Sequence, residues 1–109
     1  HLLKDLKVDR PRLGLRRNYL QTLAASYFVK LIDLVTEDGT PLMELADLLD
    51  RGLDYLDEKE ADLRAVRHFE KQLAAFLGIA EPGIEPYRSI GAHYGGIPPQ
   101  RAELLERIG

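Results

Sequence analysis

"LGLRRNYLQTLAASYFVKLIDLV" (Leu13–Val35) decides how this chain is read. Leu20, Leu23, Ala24, Tyr27, Phe28, Leu31, Ile32 and Val35 recur at steps of three and four, the period of one face of an α-helix. The apolar stripe is wide, as on a central helix touched from more than one side. The spacing therefore predicts a helix over residues 13–36, with a start signal at Asp9 before Arg10-Pro11. "TEDGTP" ends it. Gly39 suits a left-handed position, Thr40 is the expected N-cap and Pro41 opens the next helix.

Working outward, Leu42, Leu45, Leu49, Leu53 and Leu56 mark a second helix over residues 41–56. Glu44, Asp47, Asp50 and Asp54 lie between them on its polar side, where a solvated face is the simpler reading than an acid/base pair. Gly52 breaks the propensity of that helix by about 1 kcal/mol relative to Ala, a cost that close approach of a neighbouring helix would offset. A third helix is expected over 58–77, with Asp57 and Glu60 spaced as a capping box and Gly78 as the stop. Leu63, Val66, Phe69, Leu73, Phe76 and Leu77 mark its buried face. Residues 79–97 are rich in Gly and Pro and read as an irregular packed loop or a short hairpin. "PPQRAELLERIG" closes the chain as a short helix. The expected fold is all-α: an antiparallel helical bundle over 10–78, preceded by a linker over 1–9 and carrying a small Gly/Pro-rich lobe and last helix over 79–109.

Composition narrows the function. A 45% hydrophobic, 30% charged chain is globular rather than disordered. With no cysteine, disulfides and thiolate metal sites are excluded. No apolar run reaches the roughly 20 residues of a membrane span, and no signal peptide is visible. A start at His1 rather than Met is what a tag remnant or a cut end is expected to give. The net charge of −3 argues against a wholly basic nucleic-acid binder, but the charge is uneven: residues 1–35 hold seven basic and three acidic side chains, residues 36–62 two and ten. That pattern fits solvated faces, or ends that meet anionic partners.

Two basic groups qualify as binding candidates. Arg64, Arg67 and Lys71 follow one helical face, with Phe76 and Leu77 further along. Such a row beside an apolar edge suits an acidic peptide with an apolar end, because charge steers and the apolar anchor supplies affinity. Arg67 is the central residue of that expectation; a plain wet face is the competing one. Arg10, Arg12, Arg16 and Arg17 form the second group, suited to a phosphate backbone or to a soluble interdomain joint. Tyr19 is the nearby aromatic that could stack on a base. No nucleophile elbow, P-loop, dinucleotide-binding glycine set or zincin motif is present. His68, His93 and Glu70 lack metal-ligand spacing. No cofactor and no catalysis are expected.

Three stretches together resemble one family. "HLLKDLKVDRPRLGLRRNYLQTLAASYFVKLIDLV", "TPLMELADLLDRGLDYLDE" and "RHFEKQLAAFLGI" match, in order and spacing, the C-terminal helical domain of the bacterial recombination mediator RecO. The resemblance implies a non-catalytic cytoplasmic domain of DNA repair and recombination. It also implies an upstream OB barrel that carries most of the single-stranded DNA binding, and two partners: a RecR-like mediator and the acidic tail of single-stranded DNA-binding protein. Many family members place a cysteine-bound zinc module after the third stretch. Here "PGIEPYRSIGAHYGGIPP" keeps a Gly95-Gly96 pair without thiolates, so packing by Ile84, Tyr87, Ile90, Tyr94 and Ile97 is expected to replace the metal. The alternatives are an unrelated helical adaptor, or a fragment of an enzyme whose active site lies elsewhere. Five short barrel-like strands upstream of His1 would favour the mediator; a catalytic domain there would favour the enzyme.

Overall fold

A computed structural model describes residues 12–37 and 39–109 of the chain. The expected helix start at Asp9 lies outside them. Leu13–Arg16 form a single 3₁₀ turn, followed by α1 (Tyr19–Val35), α2 (Leu42–Glu58), α3 (Leu63–Leu77), α4 (Pro86–Tyr94) and α5 (Gln100–Ile108). Among the described residues there is no strand. No helix among them is long and apolar enough to cross a membrane.

The first helix is interrupted where the sequence supplies a better start. Asn18 is extended (φ −159°, ψ 169°), and its side chain accepts the Gln21 N–H at 2.9 Å, satisfying one of the orphan donors of the first turn. Two other caps differ from expectation. Pro41, not Thr40, is the N-cap of α2; the Thr40 hydroxyl accepts the Glu37 N–H in the turn before it. The capping box at Asp57 and Glu60 does not start α3. Instead α2 continues through Glu58, the Asp57 carboxylate accepts the Gly14 N–H at 2.7 Å, and Asp62 caps α3 by accepting the Ala65 N–H at 2.8 Å. Gly39 (φ 86°) and Gly78 (φ 73°) take the left-handed positions assigned to them.

The core joins all five helices. Leu23, Tyr27, Phe28, Leu31, Leu45, Leu49, Leu53, Val66, Phe69 and Leu73 are buried as the periodicity requires, while Leu20 is half-buried at the margin. Phe28 and Phe69 stack face to face, with centroids 3.9 Å apart and planes 5° from parallel. Gly52 makes room for them: a Cβ there would lie 2.9 Å from the Phe69 ring and 3.0 Å from Phe28. α5 packs against α1 and α4 against α3, and Leu104 and Ile90 bring their fully buried side chains into the same core.

Two buried polar groups join elements. Gln21 is fully buried; its Nε2 donates to the Leu56 carbonyl at 2.6 Å and the Lys59 carbonyl at 2.9 Å, and its Oε1 accepts the Ala61 N–H at 2.6 Å. It thereby satisfies carbonyls left over at the end of α2. Glu70, also fully buried, accepts the Tyr27 O–H at 2.5 Å and two N–H groups of Arg101 at 2.6 and 3.2 Å. Burial and the Glu70 charge push the Tyr27 hydroxyl well above the usual tyrosine range. Arg101 also stacks on the Tyr87 ring, 3.7 Å from its centroid.

The hairpin alternative for residues 79–97 is replaced by α4. Pro86 fits its first turn, where a missing N–H costs nothing, and Gly95 (φ 78°) ends it. Gly91, which suggested a turn, faces Ile97: a Cβ there would meet the Ile97 Cγ1 at 3.4 Å. Ile90 is buried and Tyr94 and Ile97 pack on the core, but Ile84 stays 44% exposed.

Candidate partner-binding face

α3 turns Val66, Phe69, Glu70, Leu73 and Ala74 inward, while Leu63 and Phe76, expected on that face, are exposed at the two ends of the helix. Helical geometry then forces Arg64, Arg67, His68 and Lys71 onto the opposite, exposed face. The row read from spacing is real as a surface. Arg64, Arg67 and Lys71 line one shallow depression together with Leu63 and His68.

Beside it runs a groove of about 450 Å³ between α2 and α3. Its floor is the bare backbone of Gly52 and the edges of the Phe28 and Phe69 rings. Arg51 and the half-exposed Tyr55 rise from α2; Arg64, His68 and Gln72 rise from α3. Arg64 and His68 border both depressions. The groove combines an apolar floor with guanidinium groups on both walls and one carboxylate, that of Asp62; its two arginines outnumber that acid, which suits an aromatic or aliphatic anchor attached to an anionic segment. Phe76 is 39% exposed and Leu77 is half-buried against the core, and neither lines the groove. Sequence reasoning missed the floor. The signal for it was Gly52, a glycine inside a helix that needed a close neighbour.

The N-terminal arginines sit differently. Arg10 lies outside the described residues. Arg12 pairs with both Asp50 and Asp54 of α2, the latter at 2.9 Å. Partial burial opposes its charge, but its hydrogen bonds to these carboxylates outweigh that and raise its pKa above the usual arginine value. Arg17 donates to the carbonyls of Gly14, Asp57 and Lys59 at 3.0, 2.6 and 2.7 Å, and stands 3.6 Å from Glu60. A cation at the end of α2 meets the negative end of its dipole. Arg16 is exposed. The acids of α2 are thus partly the counterions of the segment before α1.

A zinc module bound by cysteines does not fit this chain, which has no thiolate. Among the described residues no three His, Asp or Glu side chains converge on a point that could hold a metal. The segment after α3 is occupied instead by a helix seated through Ile90.

No curated protein and no solved structure matches the chain. The family model described as "Recombination protein O C terminal" matches residues 16–81. That span contains α1, α2 and α3 and stops before α4. It covers more than half of the chain and carries the groove with both of its walls. The protein therefore belongs to the RecO C-terminal domain family, a family of DNA repair and recombination.

Proposed function

We propose that this chain is a non-catalytic docking domain of a cytoplasmic recombination mediator. In this reading it receives the acidic, apolar-ended tail of single-stranded DNA-binding protein in the groove between α2 and α3. The same reading includes cooperation with a RecR-like mediator to load recombinase and anneal single strands, for which family membership is the support. The observation that carries the tail-binding reading is the position of Arg64: it borders both the apolar-floored groove and the cationic row of α3. Arg67 and Lys71 extend that row along the acidic part of the tail. A DNA-backbone role for Arg10, Arg12, Arg16 and Arg17 draws less support, because Arg12 and Arg17 already serve α2.

Titration of a labelled acidic peptide ending in phenylalanine tests it. Arg64→Glu replaces attraction by repulsion, and affinity is expected to fall about tenfold, equivalent to roughly 1.4 kcal/mol. Stability should change by no more than about 0.5 kcal/mol, as is usual at a surface position. Equal affinity of wild type and variant would remove Arg64 from the site. Absence of binding by both would leave the groove without this partner.

A further inference from the structure

One of the three cations of the row is already occupied. The Arg67 Nη2 donates to the Glu85 Oε1 at 2.5 Å. Among the described residues, neither Arg64 nor Lys71 stands within ion-pairing distance of a carboxylate. Glu85 is the residue before α4. It holds the N-cap position with extended backbone (φ −60°, ψ 133°), yet its side chain makes no cap hydrogen bond. That carboxylate is therefore available to reach across to α3.

The segment that delivers it has the chemistry expected of the partner. "EPGIE" (Glu81–Glu85) places acids on either side of Ile84, which is 44% exposed. The turn is closed by the Ile84 N–H donating to the Glu81 carbonyl at 3.2 Å, with Gly83 at φ 79°. An acidic stretch with an exposed aliphatic side chain thus touches the basic row at its middle residue, Arg67, through Glu85.

We infer that Glu85 is an internal competitor for Arg67, holding back part of the cationic row from an acidic partner until that partner displaces it. The inference rests on the tail-binding reading above. Its physical basis is the exposure of the pair: the side chains of Arg67 and Glu85 are 52% and 39% exposed. Ion pairs in water contribute little to stability, so the contact masks a charge more than it holds the fold. α4 is seated by other means, through buried Ile90 and through Tyr87 against Arg101. Breaking the Arg67–Glu85 pair therefore leaves the helix in place, and a partner carrying several carboxylates can take Arg67 over.

The test uses the whole chain and a labelled oligo-aspartate peptide ending in phenylalanine. Glu85→Gln keeps size and removes charge. It is expected to tighten binding about two- to fivefold at low ionic strength, an advantage that shrinks as salt screens the charges. Glu81→Gln removes the same charge from the same segment without freeing Arg67, and should tighten binding less. Arg67→Ala should weaken binding more in the Glu85→Gln background than in wild type, the signature of coupled residues. The melting curve of Glu85→Gln should match that of wild type. Equal affinity of Glu85→Gln and wild type would overturn the inference, as would equal tightening by Glu81→Gln or strictly additive effects of the Arg67 and Glu85 changes. A peptide that binds wild type through Arg64 but ignores Glu85 sinks only this inference. A peptide that binds no variant sinks the tail-binding reading and the competitor with it.

Discussion

Gly52 is the residue on which packing and site meet. Its missing side chain lets the Phe28–Phe69 stack press against α2, and the same gap is the floor of the groove. Alanine is the better helix former by about 1 kcal/mol, so Gly52→Ala should stabilise an isolated α2. In the folded protein its methyl would sit 2.9 Å from two carbons of a buried ring held in a stack with Phe28. Overpacking of this kind costs about 1–3 kcal/mol. The expected outcome is net destabilisation of up to roughly 2 kcal/mol, read as a lower urea midpoint. A variant as stable as wild type would mean that the two rings can separate.

At the scale of elements, the attachment of α5 depends on a charge that no solvent screens. Arg101 reaches Glu70 inside the core, with side chains 11% and 0% exposed, while Tyr27 supplies a third hydrogen bond from α1. Removing one partner of a buried pair strands the other, at a cost of about 3–5 kcal/mol. Arg101→Met should therefore be far more damaging than loss of a surface arginine. Replacing Glu70, Arg101 and Tyr27 together by apolar residues of similar volume should recover much of the loss, as measured by denaturant unfolding. A cost below about 1 kcal/mol for Arg101→Met would show that water reaches the carboxylate. This clasp also marks where the sequence stopped being legible. Helical period exposed the inner faces of α1, α2 and α3, because Leu, Phe and Val repeat there. It could not show that Gln21 and Glu70 belong to those faces, since a buried polar residue is recognisable only from its partners. Gln21 finds them in the α2–α3 link and Glu70 in α5, 31 residues away. α4 was missed for a local reason: its glycines and proline looked like turn signals, whereas Pro86 opens the helix, Gly91 fits against Ile97 and Gly95 closes it.

Across the described residues, part of the uneven charge of the chain is resolved internally. Basic residues before α1 meet the acids of α2 through Arg12, and Arg17 caps the carbonyls at the end of that helix. Arg51 and the cations of α3 form an outward basic surface around the groove. The candidate site was half visible in the sequence for the same reason. Spacing along one helix revealed the row of Arg64, Arg67 and Lys71, but the wall from α2 and the mask from Glu85 come from distant parts of the chain.

The Gln21 bridge gives this arrangement a clock. The Ala61 amide lies between α2 and α3, outside any helix, where a linker N–H would ordinarily trade its proton with water quickly. Here it is buried and donates to Gln21 Oε1, which belongs to α1. Deuterium can reach it when the Gln21 bridge between α1 and the end of α2 opens. Its exchange should therefore be slow for a linker amide, and Gln21→Ala should release it by orders of magnitude while amides of α5 respond less. Rapid exchange at Ala61 in wild type would show that the junction opens without the rest of the fold.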